Sequence, residues 1–125
     1  NRIQHPSEIV VTTAELLVGD ISLLADALQE ETNFEKVSLI YGSLNLGKTE
    51  DQLKEEAPRP SEELNIKLEL LKDLYDFILI DCPPSLKLLT SNALASSTHV
   101  IIPIESGSQY GLYGVTDLLN HLEKF

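Results

Sequence analysis

Four apolar residues, Phe77-Ile78-Leu79-Ile80, stand between Asp76 and Asp81, with Pro83 and Pro84 just beyond. A continuous run of this length predicts a strand buried on both faces, as in the middle of a parallel sheet. The two prolines lack the N–H that a ladder needs, so the strand must stop there. Asp81 is then placed at the carboxyl end of a central strand. In open α/β sheets that edge is where ligands bind. An acid there is either a satisfied structural acid, capping the next helix or bonding loop amides, or a ligand for a metal and phosphate.

The remaining segments predict elements that alternate with this strand. Thr12 and Glu15 have the spacing of a capping box, which predicts a helix over 13–18 ended by Gly19. Ile9-Val10-Val11 before it is a short strand or a lead-in. Asp20 or Ser22 can cap a second helix over about 22–30, with Leu24 and Leu28 on one face. Val37 to Tyr41 is a second strand candidate. Leu64, Leu68, Leu71 and Tyr75 share one face of a helix that leads into Phe77–Ile80, half of a βαβ unit. Ser85 or Pro84 opens a helix over 86–96, and 99–104 is a third strand centred on Val100-Ile101-Ile102. Leu112, Val115, Leu119 and Leu122 line a last helix. Strands spaced by helices exclude an all-β domain.

Charge and cysteine usage narrow the function classes. The 125 residues carry a formal net charge of -11, so phosphate attraction by a basic patch is excluded for this piece alone. A neutral or basic partner suits it better. The single cysteine, Cys82, excludes a disulfide framework and a multi-cysteine zinc site, and it reads as a small core residue beside the strand. His5, His99 and His121 are scattered without metal-ligand spacing. No run reaches the length of a membrane span and no signal peptide is visible, which gives a cytosolic reading. The chain has no methionine and begins Asn1-Arg2-Ile3, so it reads as a piece of something longer.

One segment matches a phosphate-loop pattern letter by letter. Gly42-Ser43-Leu44-Asn45-Leu46-Gly47-Lys48-Thr49 is G-x4-G-K-T behind a predicted strand. Such a loop curls its backbone amides around phosphates, which favours small residues between its ends. Leu44 and Leu46 are bulky, and Glu50 and Asp51 would repel phosphates at the start of the following helix. Gly42, Gly47, Lys48 and Thr49 are therefore the alternative nucleotide site, in a self-contained phosphate-loop protein.

The stretch Tyr75-Asp-Phe-Ile-Leu-Ile-Asp-Cys-Pro-Pro-Ser-Leu-Lys-Leu-Leu-Thr-Ser-Asn-Ala-Leu94 resembles the second acidic motif of the ParA/Soj/MinD group of deviant P-loop ATPases, in its ParA branch. That motif is a hydrophobic strand, Asp-x-Pro-Pro-Ser, and a helix with Thr-x-Asn-Ala-Leu. The likeness extends from about Val10 to about Leu122. It implies a three-layer α/β/α fold with a mostly parallel sheet, P-loop NTPase-like and incomplete at the amino terminus, with residues 1–125 forming its middle to carboxyl portion. In the family the phosphate loop Lys-Gly-Gly-x-Gly-Lys-Thr and an Asp-containing switch lie earlier, and neither is in this sequence. The G-x4-G-K-T segment then falls on a family strand and short helix, Leu46 and Glu50 matching the family's leucine and glutamate.

The resemblance also implies site residues. Asp81 matches the Asp that organises magnesium near the γ-phosphate. Pro103 and the loop Glu105–Gly111 match where the family passes the adenine base. Thr90 and Asn92 match the family helix, in structural hydrogen bonds or in ligand contact. Gln109, Tyr110 and Tyr113 contact the base or face a partner subunit. The implied parent uses ATP and Mg2+ as a dimerisation switch in plasmid or chromosome partition, as a homodimer with a partition adaptor protein. Its nonspecific DNA binding belongs to the assembled dimer, and the membrane tail of MinD-like relatives is not evident here. A nucleotide-free scaffold of the same fold is the other reading.

Overall fold

The computed structural model describes residues 10–104, 107 and 109–123. They belong to two compact units, Asn1–Pro58 and Arg59–Phe125.

In the amino-terminal unit, helix α1 spans Thr13–Val18, α2 Leu23–Ala27 and α3 Leu46–Glu56. Helix α1 begins where Thr12 and Glu15 form the capping box. The Thr12 hydroxyl accepts from the Ala14 amide at 3.3 Å, and the Glu15 carboxylate accepts from the Thr12 amide at 2.8 Å. Ala14, Leu16 and Leu17 then turn inward, and α1 packs on α3, whose Leu53 is fully buried. Gly19 ends α1 in extended backbone rather than in the left-handed form. A Cβ there would sit 2.4 Å from Leu23 and 2.6 Å from the Glu15 carbonyl, so close approach is what requires glycine. Asp20 accepts the Ser22 amide at 2.9 Å ahead of α2.

The predicted second helix is cut short. After Ala27 the chain extends, and β1 (Leu28–Gln29) pairs antiparallel with β2 (Leu39–Ile40), Leu28 opposite Ile40. The Thr13 amide donates to the Tyr41 carbonyl at 2.9 Å, tying α1 to the end of β2.

In the carboxyl-terminal unit, α4 (Glu63–Leu68) continues into a 3-10 turn, Glu69–Leu71, followed by α5 (Leu88–Ser96) and α6 (Gln109–Leu122). Leu68 and Leu71 are buried, as their spacing predicts, each worth about 1.5–3 kcal/mol when fully withdrawn from water. Helices α4 and α5 pack together, with Ala93, Thr90 and Asn92 of α5 buried. Lys67 is buried too, its ammonium 2.8 Å from Glu63 one turn earlier.

The predicted parallel sheet is not formed among the described residues, whose one ladder is the antiparallel β1–β2 pair. Residues 77–80 and 99–104 have no regular structure. Phe77 and Leu79 are each 86% exposed and Ile101 is 82% exposed, while Ile80 and Ile102 are half-buried. Burial thus alternates with the period of a strand, one side partly covered and the other bare. Two-sided burial needs neighbours on both edges and a layer on both faces, and the described residues supply neither for the bare side. The predicted Cys82 core position is corrected for the same reason: the thiol is exposed.

Candidate functional site

Asp81 lies where the Phe77–Ile80 segment ends. Its carboxylate is exposed and has no hydrogen-bond or ion-pair partner among the described residues. Among the described residues it neither caps α5 nor bonds a loop amide. The loop that follows is shaped by its own backbone: the Ser85 amide donates to the Pro83 carbonyl at 2.7 Å. Ser85 does not cap α5. The helix starts later, at Leu88, and the Thr90 hydroxyl reaches back to the Ser85 carbonyl. Partial desolvation, with the Asp81 carboxylate beside it, pushes the Cys82 thiol above its ordinary value, which keeps it a poor nucleophile at neutral pH.

Asn92 has a structural role in which its amide is fully engaged. It is 1% exposed, accepts from the Leu64 amide at 3.0 Å, and donates to the Pro60 carbonyl at 2.7 Å and the Leu88 carbonyl at 3.1 Å. A polar residue on a semi-apolar helix was the signal for this clamp, which joins α5 to the entry of α4. The buried Lys67–Glu63 pair was missed, although its i, i+4 spacing could have raised it.

Pro103 is exposed at the end of the third predicted strand. Glu105 lies outside the described residues, as do the side chains of Gln109, Tyr110 and Tyr113. Gly107, between them, has a φ of +90°, a conformation that glycine adopts without steric cost.

The Gly42–Thr49 segment belongs to the other unit. Helix α3 starts inside it, at Leu46. The Lys48 and Thr49 amides both donate to the Asn45 carbonyl, at 3.0 and 3.2 Å, and the Asn45 amide donates to the Ser43 hydroxyl at 3.1 Å. Three amides that a phosphate cradle would aim at its ligand are thus spent inside the segment. Thr49 is buried, Leu44 is fully exposed, and Lys48 points to solvent-accessible surface.

No cluster of three or more His, Cys, Asp or Glu side chains able to hold a metal occurs among the described residues. A single free carboxylate nevertheless fits Mg2+, which is usually held by one or two carboxylates together with water and substrate phosphates. None of the helices of the described residues is long and apolar enough to cross a membrane.

These features place an exposed acidic residue after a hydrophobic segment, in a chain of helices with one short antiparallel ladder among the described residues. The family model described as an AAA domain matches residues 3–125. The sporulation initiation inhibitor protein Soj of Bacillus subtilis is 39% identical over 108 residues, 85% of this chain and 40% of the relative. The chromosome-partitioning ATPase Soj of Treponema pallidum is 36% identical over 116 residues, 91% of this chain and 44% of the relative. The chromosome partitioning protein ParA of Caulobacter vibrioides is 30% identical over 115 residues, 90% and 42%. The chain belongs to the ParA/Soj family of P-loop ATPases. It spans about two fifths of the length of these relatives, 40–44%. No solved structure matches it.

Proposed function

We propose that this chain is the acidic-motif portion of an ATP-dependent dimerisation switch that acts in plasmid or chromosome partition. The observation that carries the reading is the free Asp81 carboxylate at the end of an apolar segment, inside an Asp-Cys-Pro-Pro-Ser motif of a ParA/Soj family member. The finer fold follows the same reading: Phe77–Ile80 and 99–104 are strands of a three-layer α/β/α domain, completed by segments outside these 125 residues. Residues 1–125 form one portion of that domain.

In this reading Asp81 would hold Mg2+ for the phosphates of ATP, and Pro83 and Pro84 fix where its carboxylate emerges. Bound Mg2+ supplies charge neutralisation to the phosphoryl oxygens during transfer. Asp81 presents oxygen to a hard cation, and the exposed approach leaves room for its waters. Pro103 and Glu105 edge the base. The parent is a homodimer that meets a partition adaptor protein, and nonspecific DNA is bound only by the assembled parent, because this piece carries a charge of -11. The Treponema and Caulobacter relatives are chromosome-partitioning proteins.

Titration calorimetry of the 125-residue chain with ATP and Mg2+ is the first test. The expected result is no binding heat, since the phosphate loop lies elsewhere in this reading. Tight binding abolished by Lys48→Ala would overturn it and assign the nucleotide to Gly42–Thr49. In the full-length protein, Asp81→Asn should lower ATP turnover about 10- to 100-fold, with helix content unchanged by circular dichroism. Full turnover in that variant would remove Asp81 from the site.

A further inference from the structure

Asp81 is exposed, and no group among the described residues bonds its carboxylate. Its position is therefore set by the backbone that carries it. On its carboxyl side that backbone is stiff. Cys82, Pro83 and Pro84 stand between Asp81 and Ser85. The rings of Pro83 and Pro84 fix φ at those two positions. Each ring also restricts the residue before it, so Cys82 and Pro83 are biased to extended backbone. The Ser85 amide closes the arm by donating to the Pro83 carbonyl at 2.7 Å. Few torsions are left free, so whatever holds Ser85 also aims Asp81.

Thr90 holds Ser85. It lies in the first turn of α5, is buried, and donates its hydroxyl to the Ser85 carbonyl, five residues back and outside the helix. A threonine bonded within its own helix reaches the carbonyl three or four residues back. The Thr90 bond goes further. Nor does it serve the start of α5, whose orphan groups are amides and not carbonyls. Lys87, at the cap position, makes no side-chain bond to those amides. The Thr90 hydroxyl thus fastens the loop to the helix, not the helix to itself. Helix α5 is in turn anchored through Asn92, which accepts from the Leu64 amide at 3.0 Å and donates to the Pro60 carbonyl at 2.7 Å. Thr90 and Asn92 therefore link the Asp81 arm, α5 and the entry of α4 in series.

We propose that Thr90 is a positioning residue for Asp81: its hydroxyl ties the Cys82–Ser85 arm to α5 and so fixes where the carboxylate is presented to Mg2+. The proposal rests on the reading of Asp81 as the Mg2+ ligand. In this role Thr90 acts through the arm and not on the nucleotide.

The test uses the full-length protein with three changes: Thr90→Val, which keeps the shape and loses the hydroxyl, Thr90→Ser, which keeps the hydroxyl, and Asp81→Asn. With ATP saturating and Mg2+ titrated, Thr90→Val should need about tenfold more Mg2+ for half-maximal turnover. Thr90→Ser should restore the unaltered dependence. Amide hydrogen exchange without nucleotide or metal is the second readout. Residues 81–87 should exchange faster in Thr90→Val and not in Thr90→Ser, with α5 from Ser91 onward unchanged. An unaltered Mg2+ dependence in Thr90→Val, beside an impaired Asp81→Asn, overturns the proposal and leaves the Asp81 reading standing. Unchanged exchange at 81–87 overturns it as well. So does a loss that Thr90→Ser fails to rescue, or one accompanied by faster exchange along all of α5, which marks general loosening. Full turnover in Asp81→Asn overturns the site reading itself, and the role of Thr90 with it.

Discussion

Asn92 shows how one residue can serve a fold rather than a ligand. Two of its three hydrogen bonds satisfy the Leu64 amide at the first turn of α4 and the Pro60 carbonyl before it. Neither group has an intrahelical alternative, because the first amides of a helix are orphans. Replacing Asn92 by Leu keeps the volume and strands both groups. Each partner left unsatisfied costs about 1–3 kcal/mol, so Asn92→Leu should lose about 2–6 kcal/mol. Urea denaturation followed by circular dichroism measures it. A loss below about 0.5 kcal/mol, the scale of an ordinary surface change, would mean that the clamp is not held in solution. The sequence marked Asn92 as a polar residue on a semi-apolar helix but left its partners open. Hydrogen bonds to backbone groups 28 and 32 residues away leave no periodic trace. Asp81 was legible for the opposite reason: its place depends only on where an apolar run meets two prolines.

At the scale of elements, α1 was readable to the residue because everything that makes it is local. Thr12 and Glu15 stand three apart, and the capping box they form needs no distant partner. Three hydrogen bonds, the largest effect being that of the Thr12 hydroxyl, hold the Glu15 carboxyl below its ordinary value. The folded state therefore favours ionised Glu15. Its contribution is fully present above the unfolded value and is lost as pH falls through the folded one, in the acidic range below the ordinary glutamate value. Glu15 is exposed, so solvent keeps the effect small. Thr12→Ala should cost about 1 kcal/mol at neutral pH, and Glu15→Gln should flatten the acid limb of a stability–pH curve below pH about 4. An acid limb unchanged in Glu15→Gln would place the sensitivity in other carboxylates. Helix α2 was overextended because Leu24 and Leu28 fit a helical period equally well. The competing ladder to Leu39–Ile40 lies more than ten residues on, beyond any local window.

For the whole molecule, the strands at 77–80 and 99–104 are where sequence pattern and structure part. An apolar run states that a strand is buried somewhere; it does not state by what. Here Phe77, Leu79 and Ile101 remain in water, so the chain carries bare apolar side chains beside backbone that forms no ladder. Such segments template pairing with other chains. Opposing that is a net charge of -11, which keeps copies apart at low ionic strength. The two forces respond differently to salt. The Debye length falls from about 30 Å at 0.01 M to about 8 Å at 0.15 M, while apolar attraction is not weakened. The isolated 125-residue chain should thus be monomeric at low salt and associate as NaCl is raised, read by sedimentation velocity. Phe77→Ser, Leu79→Ser and Ile101→Ser together should hold it monomeric at 0.15 M salt, because they remove the bare side chains and leave the charge as it is. Since none of the three is buried, the urea midpoint should move little. Association that ignored salt, or that survived the triple change, would show that the exposed strand residues are not the adhesive surface.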